Sequence, residues 1–279
     1  ALLGIGSVMI TAAALVFLAV WQSGQYNTLA QNEVDELIAA DLDHITSGVY
    51  NLVRTENEAV QEQLSYNLNV ARHVLANTGR ISLSEETVAW NAVDQFTTEK
   101  ILIQLPKMLA GDRWLGQNFS PDVRTPVVDE ITRLVGETAT VFQRMNEKGD
   151  MIRVATTVKD SKGRRAIGTF IPAVHADGKP NPVVSAILKG KTYHGRAFVV
   201  NSWYLTVYEP IKDKGGRLVG MLYVGLKQKA VEMRIRHAIL QTKVGKTGYV
   251  YVLGGKGEDR GRYIISQKGE RDGEDIWDN

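Results

Sequence analysis

The chain has 279 residues, a hydrophobic content of 44%, a charged content of 23% and a formal net charge of +2. That balance excludes a disordered chain and leaves no electrostatic footprint for nucleic acid. The absence of cysteine excludes a disulfide framework and a thiolate metal site, and it fits either side of a membrane.

Residues 1–21 carry no charge and end on Trp21. As a helix they would reach about 31 Å, the thickness of a hydrocarbon core, with the tryptophan at the interface. They are read as a membrane span; the alternative, a cleaved signal peptide, lacks a cleavage site after its long apolar region. Residues 22–53 contain Glu33, Asp35, Glu36, Asp41 and Asp43 and no Lys or Arg, so this flank is expected outside the cytoplasm.

Residues 22–80 are expected to be one long stalk helix that closes on Gly79. Ile38, Leu42, Ile45, Val49 and Leu52 recur at 4-3-4-3 spacing, a heptad seam. Leu64, Leu68, Ala71 and Leu75 carry the stripe on at a different phase. The partner of this face is either a second copy or the chain's own later domain.

Ser84-Glu85-Glu86 has the form of a helix start, capped by Ser82 or Ser84 and running towards Leu105, with Pro106 as the break. Residues 107–126 contain two glycines and two prolines without clear period, and are read as a functional or mobile loop. Trp114 within it either anchors the loop or covers a pocket.

From Thr138 the period turns strand-like. Residues 138–145 and 151–158 form an expected hairpin around Asn146-Glu147-Lys148-Gly149-Asp150. Residues 166–171 read as a short strand, and 183–188 as a short helix with Pro182 at its first position. Residues 193–200, 203–210 and 218–226 read as antiparallel strands, the last apolar on both faces and so covered on both sides. Residues 227–244 follow as a linker helix. Gly248 and the strand-like 249–253 and 263–266 open what reads as a second, similar module, and the chain stops within it, which suggests a fragment of a longer protein. The class is α+β.

Catalytic patterns are missing. Gly245-Lys246-Thr247 lacks the upstream glycine of a phosphate loop and precedes a strand instead of a helix. The five histidines are scattered without ligand spacing, and no G-x-S-x-G elbow occurs. No enzyme activity, metal or cofactor is expected. In 151–158, Ile152, Val154 and Val158 are expected on the packed face, and Arg153, Ala155 and Thr157 on the other. Arg153 and Thr157 then face solvent or a concavity under the 107–126 loop. Tyr193, Arg196, Trp203 and Tyr204 on neighbouring strands, with Trp114 above, complete a candidate ligand pocket that favours an anion. Against this stands a plain aromatic core with surface arginines.

The blocks TVFQRMNEKGDMIRVATTV, GRRAIGTFIP and YHGRAFVVNSWYLTVYEPI, behind a span and a very long helix, resemble the tandem Cache sensors of the Cache-3/Cache-2 fusion type. The resemblance implies a PAS-like membrane-distal module over 81–226 and a second, truncated one from 245. It also implies the extracytoplasmic (periplasmic) part of a dimeric, inner-membrane, methyl-accepting chemotaxis receptor that binds a small molecule such as a carboxylate. A histidine kinase or diguanylate cyclase output is the alternative, and a structural or adhesion stalk without a ligand is the alternative of another class.

Overall fold

The computed structural model describes residues 2–277, with side chains from residue 15 onward. It divides into two compact units, Glu56–Ile235 and Ala1–Thr55 with Arg236–Asn279. The architecture is α+β, as expected. Much of the anticipated span, residues 1–14, lies outside the described side chains; among the described residues no helix is long and apolar enough to cross a membrane.

Helix α1 runs over Leu2–Thr78 without a break. Its last turns bury Leu64, Leu68 and Ala71 of the stripe legible in the sequence, together with Val60 and Val74, while Leu75 of that stripe is only partly buried. Further up, Ile38 and Leu42 of the heptad seam are exposed.

A nine-stranded sheet fills the unit Glu56–Ile235. In chain order its strands are β1 (Ile81–Asp94), β2 (Lys100–Ala110), β3 (Arg113–Trp114), β4 (Thr138–Arg144), β5 (Met151–Thr156), β6 (Thr169–Ile171), β7 (Tyr193–Val199), β8 (Ser202–Lys212) and β9 (Leu218–Lys227). Their spatial order is β3-β2-β1-β6-β5-β4-β9-β8-β7, antiparallel throughout except for the parallel pair β1 and β6. Helix α2 (Val128–Val135) packs with α1 on one face, through Val128 and Ile131. Helix α3 (Pro182–Leu188) covers the other through Val183, Val184 and Ile187. Strand β9 serves both faces: Leu222, Val224 and Leu226 point to the α1 side, Met221 and Tyr223 to the α3 side. Two-sided burial is what its unbroken apolar run requires. Gly220 on β9 lets β4 approach, since a Cβ there would lie 2.0 Å from the Phe142 carbonyl oxygen.

The helix expected from Ser84 to Leu105 is instead the β1–β2 hairpin. Ser84-Glu85-Glu86 is an irregularity in it, where the register jumps between Leu83 and Thr87. The Ser84 hydroxyl donates to the Glu86 carbonyl rather than capping a helix. Beyond the bulge, Trp90, Ala92 and Asp94 are buried at every second position, the strand period. Pro106 stands inside β2, opposite Thr87 at the edge of the bulge, where a missing N–H is tolerated. The anticipated 107–126 loop is therefore shorter: its first residues are sheet, and Trp114 sits on β3.

Helix α4 (Gln228–Leu240) follows β9 directly. In the other unit come two small two-stranded pairs, β10 (Lys243–Val244) with β11 (Gly248–Tyr249), and β12 (Val252–Leu253) with β13 (Tyr263–Ile265). Arg236 ties this segment together, pairing with Asp272 and donating to the Ile264 carbonyl, both at 2.6 Å.

Candidate functional site

On the α3 side of the sheet, at the β7 edge, lies a cavity of about 180 Å³. Strands β7 and β8 contribute Tyr193, Arg196, Trp203 and Tyr208 to its wall, and the turn after β1 contributes Gln95 and Phe96. The start of α3 and the loop before it supply Asn181 and His175. Local chemistry fixes each part. Asn181 caps α3, its Oδ1 accepting from the Val183 N–H at 3.0 Å and the Val184 N–H at 3.3 Å, with Pro182 at the first helical position. The Asn181 side-chain nitrogen meets His175 Nε2 at 3.3 Å, and the His175 ring stands edge-on to Phe96, centroids 4.9 Å apart. The β7–β8 hairpin pairs Phe198 with Trp203 and Tyr193 with Tyr208. Arg196 lies 3.9 Å over the Trp203 ring, and the Tyr193 hydroxyl donates to the Arg196 carbonyl at 3.2 Å. Arg196 and Trp203 are exposed, so this end of the cavity opens to solvent.

Arg153 lies behind the cavity wall and is fully buried, not facing solvent as one expectation had it. Its Nη2 donates to Gln95 Oε1 at 2.8 Å, its Nη1 to Thr169 Oγ1 at 2.7 Å, and its guanidinium stacks 4.8 Å over the Phe142 ring. Its Nε has no partner among the described residues. None of the ion pairs among the described residues includes it. Burial disfavours the cation and lowers its pKa, while Tyr208, Tyr223 and Tyr204 act in the opposite direction. Those tyrosines form a stack on the same face: the Tyr208 and Tyr223 rings are 4.9 Å apart, and Tyr193 lies 6.1 Å from Tyr208. Tyr204 is buried in this core instead of lining the cavity. The Tyr208 hydroxyl is buried without a partner among the described residues, and desolvation holds its phenol well above the usual range.

Thr157 and Trp114 are elsewhere. Strand β5 carries an extra residue at Val154, because Val141 pairs with Ala155 while its neighbour Phe142 pairs with Arg153. That bulge reverses the side-chain phase beyond it. Ala155 therefore joins Ile152 and Val154 on the α1 side, and Val158 joins Met151 on the α3 side. Thr157, expected beside Arg153, instead meets Thr132 of α2 at 3.0 Å and accepts from the Ala139 N–H at 3.0 Å. Trp114 on β3 occupies one edge of the sheet and the cavity the opposite edge, so it is no lid. It packs beneath Lys107, whose Nζ is 5.3 Å from the ring centroid.

The loop of residues 115–127 does not cover the cavity either. It is held by Arg165, which is buried and pairs with Asp129 on α2 at 2.7 Å. The same guanidinium donates to the carbonyls of Ser120 at 2.9 Å and Thr156 at 2.8 Å, and more weakly to those of Pro121 and Val123. No group of His, Asp and Glu side chains suited to a metal ion occurs among the described residues.

The Cache 3/Cache 2 fusion domain family matches residues 27–279. No curated protein matches the chain. Among solved structures, the crystal structure of the E. coli DcuS sensor domain is similar at a TM-score of 0.28 and 17% identity, covering 39% of this chain and 69% of that one. With nearly its whole length matched, the chain belongs to the Cache 3/Cache 2 fusion domain family.

Proposed function

We propose that the chain is the extracytoplasmic sensing region of a membrane-anchored bacterial receptor, and that its cavity takes a small molecule with an anionic group. The observation that carries this is Arg153: a buried guanidinium without a carboxylate partner among the described residues, one amide away from a solvent-open cavity. Arginine does not release its proton under ordinary conditions, and a buried cation without a counter-charge is costly. A ligand anion supplies that charge, and the two oxygens of a carboxylate match the guanidinium fork. Arg196, on its exposed aromatic seat, adds a second positive charge at the mouth.

Family membership supports the sensing role. The uncharged residues 1–21 and the acidic flank after them support a plasma-membrane anchor with the remainder outside. The exposed Ile38 and Leu42 of the seam support a homodimer. In this reading residues 81–226 are the membrane-distal module, 227–244 the linker and 245–279 the opening of the membrane-proximal one. Ligand capture shifts a two-state equilibrium that passes inward through α1 and α4. The output is chemotaxis through a methyl-accepting receptor; a histidine kinase or diguanylate cyclase could be driven by the same sensor.

Thermal unfolding of the full chain in detergent, against a panel of small mono- and dicarboxylates, tests the proposal. A ligand at 100 times its Kd adds about 2.7 kcal/mol, a shift of several degrees. Arg196→Ala is expected to weaken that response. A panel in which no carboxylate raises the midpoint overturns the proposal.

A further inference from the structure

Gln95 is the joint between the cavity and the buried cation. Its backbone N–H donates to the Phe170 carbonyl at 3.1 Å, which fixes the turn after β1 against β6. Its side chain faces two ways: Oε1 accepts from Arg153 at 2.8 Å, and Nε2 donates to the Phe198 carbonyl on β7 at 3.2 Å. Gln95 lines the cavity and Arg153 does not, so the amide closes the inner end.

The arrangement satisfies the guanidinium only in part. Both of its side-chain acceptors, the Gln95 amide and the Thr169 hydroxyl, are neutral, and the Thr169 hydroxyl spends its own proton on the Ala166 carbonyl at 2.8 Å. Among the described residues Arg153 Nε is without a partner, and so is the hydroxyl of Tyr208, a fully buried side chain on the wall of the same cavity. Unpaired donors beside a cation with no counter-charge mark a seat shaped for an anion.

We infer that Gln95 is a displaceable neutral cover over that seat. A ligand carboxylate reaches Arg153 by taking the place of the Gln95 amide oxygen, and the Tyr208 hydroxyl becomes its second donor. The inference rests on the anion-binding reading of the cavity and adds the residue that gates it. It accounts for selectivity, because a neutral amide offers Arg153 nothing that Gln95 does not already give, whereas a charged oxygen forms the stronger bond. It also couples binding to the sheet. Moving the Gln95 side chain breaks its bond to Phe198, which links the turn after β1 to edge strand β7. Strand β7 pairs with β8 and β8 with β9, whose end runs into α4.

Thermal unfolding of the full chain, with acetate, malonate and succinate as carboxylate probes, inorganic phosphate as a non-planar anion and acetamide as the neutral control, tests the inference in the wild type, Gln95→Glu and Gln95→Ala. With no probe added, Gln95→Glu is expected to raise the midpoint by about 3–6 °C, because it gives Arg153 the missing carboxylate. The same variant is expected to lose the carboxylate response. Gln95→Ala removes the cover and is expected to tighten the binding of an active carboxylate by about tenfold. Acetamide should shift none of the three proteins, and phosphate should act more weakly than the carboxylates. A wild-type carboxylate response that Gln95→Glu leaves intact overturns the role of Gln95 alone. So does a Gln95→Ala protein of unchanged affinity, which decides the matter if Gln95→Glu does not fold. A wild-type chain that neither the carboxylates nor phosphate stabilise overturns the anion-binding reading itself.

Discussion

Arg153 Nη2 lies 2.8 Å from Gln95 Oε1, a fully buried charged donor meeting the neutral acceptor of a partly buried amide. A cation held in this way contributes little to folding, because its desolvation is not offset by a counter-charge. Arg153→Met, which keeps the length of the side chain and removes the charge, is therefore expected to unfold within about 1 kcal/mol of the wild type or above it. The carboxylate response should vanish in the same protein. A guanidinium kept for stability would show the reverse: a large loss of midpoint.

Thr157 and Trp114 separate the cavity from the residues that only resemble part of it. Thr157 bonds Thr132 and the Ala139 N–H on the α2 side, so Thr157→Val should cost about 1 kcal/mol. Trp114→Ala removes a ring at the far edge of the sheet. Both variants should keep the full carboxylate shift in thermal unfolding. Loss of that shift in either would move the site away from β7.

Arg165 closes the 115–127 loop onto α2 through Asp129 and a set of loop carbonyls. Arg165→Met leaves the partly buried Asp129 carboxylate without its cation, and the expected loss is about 3 kcal/mol. Limited proteolysis should then cut within residues 115–127 faster than in the wild type. Carboxylate affinity should be unchanged in whatever fraction remains folded.

Glu137, in the bend between α2 and β4, has its pKa raised, chiefly by burial, with Arg234 pulling it down less strongly. A carboxyl whose folded pKa exceeds its unfolded value binds more protons in the folded state, so stability falls as pH rises through the interval between the two. Glu137→Gln removes that slope. Chemical denaturation at a series of pH values from about 4 to 7 should show the variant gaining on the wild type as pH rises, starting at the usual glutamate range near 4.3. A difference independent of pH would place Glu137 in solvent.

Where local pattern governs structure, the sequence was readable. The Leu64–Leu68–Ala71 stripe, the β4–β5 and β7–β8–β9 hairpins and Pro182 opening α3 each follow from spacing or turn chemistry within a few residues. Bulges broke that logic twice. Ser84-Glu85-Glu86 carries the residues of a helix cap, but pairing with β2 turns it into an irregularity between strands. Val154, as an extra residue in β5, sends Thr157 to the opposite face from Arg153, which no alternation rule foresees. Arg153, Tyr193, Arg196 and Trp203 were legible as chemistry on strands. Gln95, His175 and Asn181 were not, because they enter from turns, and only the closed sheet brings those turns together. A polar residue just after the end of β1, close to a charged residue on β5 two strands away across β6, is the one signal that could have singled out Gln95. It requires the β1–β6 pairing to be known first.

The most direct measurement is a crystal structure of the full chain with a carboxylate that raises its unfolding midpoint. The expected result is a carboxylate oxygen within about 3 Å of the Arg153 guanidinium, with the Gln95 amide turned away from it and from the Phe198 carbonyl. A carboxylate bound elsewhere, with Gln95 still on Arg153, would contradict the account.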